Sequence, residues 1–275
     1  MPQNFNYGID QLTVGNAIAI GSGRTKGILN DAAVKKINKS QQYVQDIVEN
    51  NKTVYGVNTG FGILASTKIS EEDTATLQHK ILQSHSVGVG DAIPAEITRL
   101  MLVTKVHALA QGYSGVRLET IERICWHIEN DVLPVVPEKG SVGASGDLAP
   151  LAHLFLPLIG LGQVDHKGTR YRAQDLLKKF SLQPVQLGPK EGLALINGTQ
   201  FILAFAVRAV QRMHNCLEAA DIIGAMSLEA LTGTKAPFDE RLHKLRPFAG
   251  NELVAQRLRF LLKDSAIMQS HVDCG

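Results

Sequence analysis

Apolar residues recur at helical spacing along most of the chain. Val34, Ile37, Val44, Ile47 and Val48 fall on one stripe, and Asn30 ahead of them has the side chain of an N-cap. Ser70 and Asp73 stand at capping-box spacing before a second stripe of Leu77, Ile81 and His85. Pro94 suits a first helical position, and Ile97, Leu100, Met101 and Ala108 continue the pattern until Gly112 and Gly115 stop it. Leu118, Ile121, Ile124 and Ile128 predict a further helix ended by Pro134. Strand patterning is sparse: residues 163–171 predict one small hairpin with Lys167-Gly168 at its turn.

The pattern changes after Asn197. From Thr199 to Leu231 the sequence is apolar nearly all round, with Arg208, Arg212, Glu218 and Asp221 scattered through it. Such a helix belongs in the middle of a bundle or at a subunit interface. The expected fold is mainly α: a mixed N-terminal domain over residues 1–197, then the start of a long-helix bundle over 198–275.

Composition narrows the functional classes. Hydrophobic residues make up 44% and charged residues 20% of 275, which supports a sizeable core and excludes disorder as the main state. A net charge of +2 gives no reason to expect a nucleic-acid partner. Cys125, Cys216 and Cys274 are odd in number and far apart, which fits a reducing cytoplasm. No N-terminal segment has the build of a secretion signal, and the apolar run from Leu148 to Leu161 is too short to cross a bilayer, so no membrane association is expected. Nine histidines include no HExxH pair and no cysteines cluster, so no metal site is expected.

Two glycine-rich segments interrupt the helices, residues 55–62 and 140–146. The second, Gly140-Ser-Val-Gly-Ala-Ser-Gly146, precedes Asp147-Leu-Ala-Pro, which begins a helix. A loop feeding a helix N-terminus suits an anion, yet the Walker lysine and the Rossmann glycine order are both missing. Read as reacting atoms, Ala144, Ser145 and Gly146 offer another chemistry. Glycine lets the Gly146 nitrogen approach the Ala144 carbonyl carbon. Ring closure with loss of two waters yields a 4-methylidene-imidazol-5-one, an electrophile that no ordinary side chain provides. The tripeptide alone is common and carries no weight.

The longer string Gly140-Ser-Val-Gly-Ala-Ser-Gly-Asp-Leu-Ala-Pro-Leu-Ala-His153 closely resembles the signature of the aromatic amino-acid ammonia-lyase family. Tyr55-Gly-Val-Asn-Thr-Gly-Phe-Gly62, Ser84-His85-Ser-Val-Gly88, Glu191-Gly-Leu-Ala-Leu-Ile-Asn-Gly-Thr-Gln200 and Pro237-Phe-Asp239 resemble further family blocks in the family's order. The resemblance implies the all-α fold shared with fumarase-like enzymes and an autocatalytic electrophile from Ala144, Ser145 and Gly146, with no metal or external cofactor. It implies that Tyr55 removes the substrate's β-proton, a task for which a phenol needs a local positive field. Asn197 would stand beside the electrophile, assigned to ring formation or to binding the substrate's amino-acid moiety. His85 would line the side-chain pocket, and the pair Ser84-His85 resembles the histidine-specific members, pointing to L-histidine as substrate and trans-urocanate as product. Tyrosine or phenylalanine lyase, or aminomutase, is the alternative on the same electrophile. Asp147 is read only as a helix cap.

The resemblance also implies a homotetramer with shared active sites, and family chains that run well past Gly275. The later blocks carry the arginine that holds the substrate carboxylate. The expectation is therefore a partial chain, and a non-catalytic interaction role is its second reading.

Overall fold

The computed structural model describes residues 4–50, 52–59, 71–143 and 146–270. The protein is mainly α, as the periodicity predicts. In chain order its first half comprises β1 (Phe5–Asn6), α1 (Val14–Gly21), β2 (Gly27–Ile28), α2 (Asp31–Glu49), α3 (Glu71–His85), β3 (Val89–Ala92), α4 (Ala95–Ala110) and α5 (Leu118–Glu129). Then follow β4 (Val132–Pro134), β5 (Pro137–Lys139), α6 (Leu148–Phe155), β6 (Gln163–His166), β7 (Thr169–Arg172), α7 (Ala173–Lys179) and α8 (Glu191–Ile196). The chain continues through α9 (Gln200–Ala230), α10 (Glu240–Lys244), α11 (Ala249–Leu261) and α12 (Ala266–Gln269). It forms two compact units, Met1–Arg208 and Ala209–Gly275, so the division falls within α9.

Local rules explain several helix ends. Asn30 caps α2, its side chain accepting from the Ala33 N–H at 3.0 Å. Pro94 sits one position earlier than predicted, as the N-cap of α4, and Gly112 closes that helix with φ +78°. The Ser70–Asp73 capping box lies outside the described residues. The end predicted for α5 is corrected: the helix stops at Glu129, capped by Asn130, and Pro134 belongs to β4. Asp131, with φ +52°, reverses the chain so that Val132–Pro134 pair antiparallel with β6. The predicted hairpin is β6–β7, turning through Lys167 and Gly168, both at positive φ.

In the first unit the core is organised around α4, which packs against α1, α2 and α5. Its residues from Leu100 to Val106 are all buried, Lys105 among them. A second group, α3, α6 and α8, packs mutually, and the two groups share one apolar core through Ile81, Leu82, Met101, Leu151, Phe155 and Leu195. Gly192 marks the closest approach of α8 to α3, since a Cβ there would lie 2.4 Å from the Gln78 carbonyl oxygen.

The α5–α8 seam is tied by a buried carboxylate. Glu191, 1% exposed, accepts from the Arg117 N–H (2.9 Å), its guanidinium (2.8 and 3.0 Å), Thr120 Oγ1 (2.8 Å) and the Gly188 N–H (2.6 Å). In the second unit a small apolar cluster of Ala225, Leu258, Leu262 and Met268 joins α9, α11 and α12, and Arg257 pairs with Asp221 at 3.0 Å.

The apolar surface of α9, expected to face a bundle or a subunit interface, lies exposed within this chain. Ile202, Phe205, Met213, Leu217, Ile223 and Met226 are exposed, and the helix buried all round is α4. The stretch Glu191–Ala230 is also long and apolar enough, by length and composition, to cross a membrane, a property the shorter Leu148–Leu161 run does not reveal.

Four histidines serve as neutral structural groups. His79, His107 and His153 use a ring nitrogen to accept a main-chain N–H, from Leu187, Gly8 and Gly88 respectively, and burial lowers the pKa of each. His127 is 2% exposed, its Nδ1 bonded to the Val132 carbonyl at 2.9 Å and its Nε2 buried without a partner. Burial draws its pKa down to about 4. The folded protein thus binds fewer protons than the unfolded chain between about pH 6.5 and 4, so stability falls as pH drops through that window. His127 alone accounts for about 3 kcal/mol of this loss. Urea midpoints measured from pH 7 to pH 4 should decline, and His127→Gln should flatten the decline. Separately, Glu191→Ala strips five donors of their acceptor and should lower stability by about 3 kcal/mol in the same assay.

Candidate active site

Helices α3, α6 and α8 pack mutually, and each borders a candidate residue. Helix α3 ends at His85, α6 begins behind Gly146 and Asp147, and α8 ends at Ile196, one residue before Asn197. The link from α3 to α6 runs through Gly88, whose N–H donates to His153 Nε2 at 3.0 Å. The link from α8 to α3 is the Leu193 N–H, which donates to Gln78 Oε1 at 3.3 Å.

Asp147 joins the glycine-rich loop to the last of these ends. It is fully buried, and its main-chain N–H donates to the Gly198 carbonyl at 2.7 Å. Its side chain does not cap α6, contrary to expectation. One carboxylate oxygen accepts from Ser141 Oγ at 2.8 Å and the other from the Ile202 N–H at 3.0 Å, in the first turn of α9. The residue caps the following long helix instead of its own, because the loop turns the carboxylate towards the Asn197–Gly198 corner. No local spacing rule finds such a cap, since Asp147 and Ile202 are 55 residues apart.

Gly146 has φ +102°, and a Cβ built on it would lie 2.3 Å from the Gly198 oxygen. Both facts restrict position 146 to glycine. Ala144 and Ser145 lie outside the described residues. Asn197 is exposed, and its side chain has no hydrogen-bond partner among the described residues, which leaves the amide available to a ligand. Gln200 Oε1 is buried without a partner close to Gly198.

His85 is half-buried, with Nδ1 2.9 Å from the Ile81 carbonyl and 3.1 Å from Ser84 Oγ. A proton on Nδ1, shared with the Ile81 oxygen, leaves Nε2 as an acceptor. Tyr55 is 53% exposed on a turn built by Asn58, whose side chain accepts from the Val54 N–H at 3.0 Å and donates to the Lys52 carbonyl at 2.8 Å. The contacts described join Gly146 and Asp147 to the Asn197–Gly198 corner and link α3 and the segment after it to α8 and α6; Tyr55 lies on the turn that Asn58 holds. Two contributors had no sequence signal: the carboxylate of Asp147 in its actual role, and Lys105, whose Nζ donates to the Asn197 carbonyl at 3.1 Å.

The fold and this convergence place the chain in a known class. Residues 12–275 match the aromatic amino acid lyase family, and the chain belongs to it. It is 45% identical to a histidine ammonia-lyase from Idiomarina loihiensis over 247 residues, covering 90% of this chain and 48% of the relative. Its fold matches the crystal structure of histidine ammonia-lyase from Trypanosoma cruzi with a TM-score of 0.87 at 38% identity, covering 97% of this chain and 52% of that one. Tyrosine aminomutase from Streptomyces globisporus matches with a TM-score of 0.90 at 31% identity, covering 96% and 50%. The chain thus spans about half the length of these relatives.

Replacing Asp147 separates its roles. Asp147→Ala leaves the Ile202 N–H and Ser141 hydroxyl unanswered and should cost about 2–3 kcal/mol. Asp147→Asn can still accept from Ile202 while its NH2 donates to Ser141, and should cost about 1 kcal/mol. Urea denaturation of both variants checks this order; equal losses would mean that the negative charge with its second acceptor oxygen, not the shape shared with asparagine, carries the stability.

Proposed function

We propose that this chain carries the electrophile, the base and part of the substrate pocket of a histidine ammonia-lyase, which eliminates ammonia from L-histidine to give trans-urocanate. The observation that carries the reading is the compressed Gly146, with the Gly198 oxygen standing where a side chain would be. In ring formation the Gly146 nitrogen bonds to the Ala144 carbonyl carbon. That carbon's oxygen leaves as water with the two amide protons of Ser145 and Gly146. Ser145 then loses its hydroxyl and α-hydrogen as a second water. The residues present fit the resulting 4-methylidene-imidazol-5-one: glycine is required at 146, and a buried, unpartnered Gln200 oxygen lies beside the same corner. When formed, the group supplies an electrophilic carbon for the substrate's amino group.

The remaining roles fall to ordinary side chains. Tyr55 takes the β-proton from a turn whose shape Asn58 holds. Asn197 directs its unpaired amide at the amino-acid end of the substrate. His85 presents Nε2 as an acceptor to the N–H of the substrate imidazole, a partner that tyrosine or phenylalanine lacks. This last point, with 45% identity to a histidine ammonia-lyase against 31% to the aminomutase, favours histidine. Residues 1–197 form the domain that holds these groups, and residues from 198 open a helical bundle. We read the exposed apolar surface of α9 as a bundle and subunit surface of a homotetramer in the cytoplasm, not a bilayer span, because Arg208, Arg212, Glu218 and Asp221 are spaced through it.

Intact mass should show the chain lighter by two waters, and Gly146→Ala should abolish that loss; an unmodified wild-type mass overturns the electrophile. Urocanate absorbance then tests substrate choice. His85→Leu should reduce histidine turnover at least tenfold, and a variant that still prefers histidine would refute the assignment of His85. A modified chain that gives no urocanate supports an interaction role instead.

A further inference from the structure

The interior of the first unit holds a lysine that no ion pair explains. Lys105 lies on α4, 1% exposed, between the buried Thr104 and Val106. An ammonium there forfeits its hydration, a cost that a methionine or leucine of similar size would not carry. Among the described residues no carboxylate pairs with it. Its Nζ donates to the Asn197 carbonyl at 3.1 Å and stands 6.0 Å from the centre of the Phe155 ring. Burial draws its pKa down to about 7, and amine and ammonium alike keep an N–H for that carbonyl.

What the lysine holds is the corner of the site. The Asn197 oxygen and the Gly198 nitrogen share one planar peptide unit, so a bond to the first orients the second. The carbonyl of Gly198 takes the Asp147 N–H at 2.7 Å and is the wall that a Cβ on Gly146 would strike at 2.3 Å. The Asn197 side chain leaves the same corner outwards. Lys105 thus touches no reacting atom, yet is one peptide unit from the oxygen that crowds Gly146.

We propose that Lys105 is a positioning residue for ring closure: by fixing the Asn197–Gly198 peptide plane, it holds the surface against which Gly146 is pressed. The assignment rests on reading Ala144-Ser145-Gly146 as the electrophile precursor.

The test uses the full chain, with two readouts. Lys105→Met fills similar space without an N–H donor, and Lys105→Gln keeps one. Loss of two waters is timed by intact mass after refolding, and amide exchange is followed at Asp147 and over residues 199–203. The Met variant should retain a urea midpoint at or above wild type, dehydrate at least tenfold more slowly and lose at least tenfold in protection at Asp147. Lys105→Gln should recover part of both. Lys105→Leu serves the same purpose should the Met variant fail to fold. Dehydration of the folded Met or Leu variant at the wild-type rate overturns the proposal. If the wild-type chain keeps both waters, the electrophile reading falls and the ring-closure role falls with it. Exchange then decides separately whether Lys105 holds this peptide, and unchanged protection overturns that as well.

Discussion

The buried carboxylate of Asp147 is the constraint on which the site depends. A fully desolvated carboxylate must find donors, and this one finds them on two segments far apart in the chain: Ser141 within the glycine-rich loop and the Ile202 N–H at the start of α9. With its own N–H on Gly198, the residue clamps the loop against the Asn197–Gly198 corner from both backbone and side chain. The Gly198 oxygen held by that N–H is the atom that leaves no room for a Cβ on Gly146.

Polar groups elsewhere in the first unit obey the same logic. Glu191 satisfies both oxygens with Arg117, Thr120 and Gly188 and so fixes where α8 begins. Lys105 and Gln78 act where α8 ends and where it meets α3. The short α8 is therefore held at both ends by buried polar contacts. Neutral histidines extend this network, His153 in particular, since it connects the helix behind the loop to the segment that follows His85. A framework of neutral imidazoles tolerates neutral pH and weakens in acid.

Several sequence expectations were decided by local chemistry and hold for that reason. Asn30 caps α2 because a short polar side chain before an apolar stripe has few alternatives, and Lys167-Gly168 turns the hairpin because both residues accept positive φ. One failed where tertiary contacts overruled the local rule. Pro134 was expected to end a helix, but Asp131 ends that segment earlier, and the proline is used in a strand. Apolarity all round pointed to α9 as a helix for a bundle centre or subunit interface, and its apolar side chains are exposed within this chain; α4 is buried although its sequence carries Thr98, Thr104 and Lys105. Composition reports what a helix can bury; only its neighbours determine what it does bury.

By itself the sequence determined the helical class, some helix boundaries, the family blocks and the chemistry available to Ala144, Ser145 and Gly146. These depend on residue type and short spacing, which the chain carries in linear order. Only the tertiary structure decided that Asp147 caps α9 and not α6, that a lone lysine on the central helix holds the Asn197 carbonyl, and that the Gly198 oxygen occupies the space beside Gly146. Each of these joins residues about 50 to 90 positions apart. A buried charge takes whichever donors or acceptors the packing brings within reach, and no spacing along the chain encodes that choice.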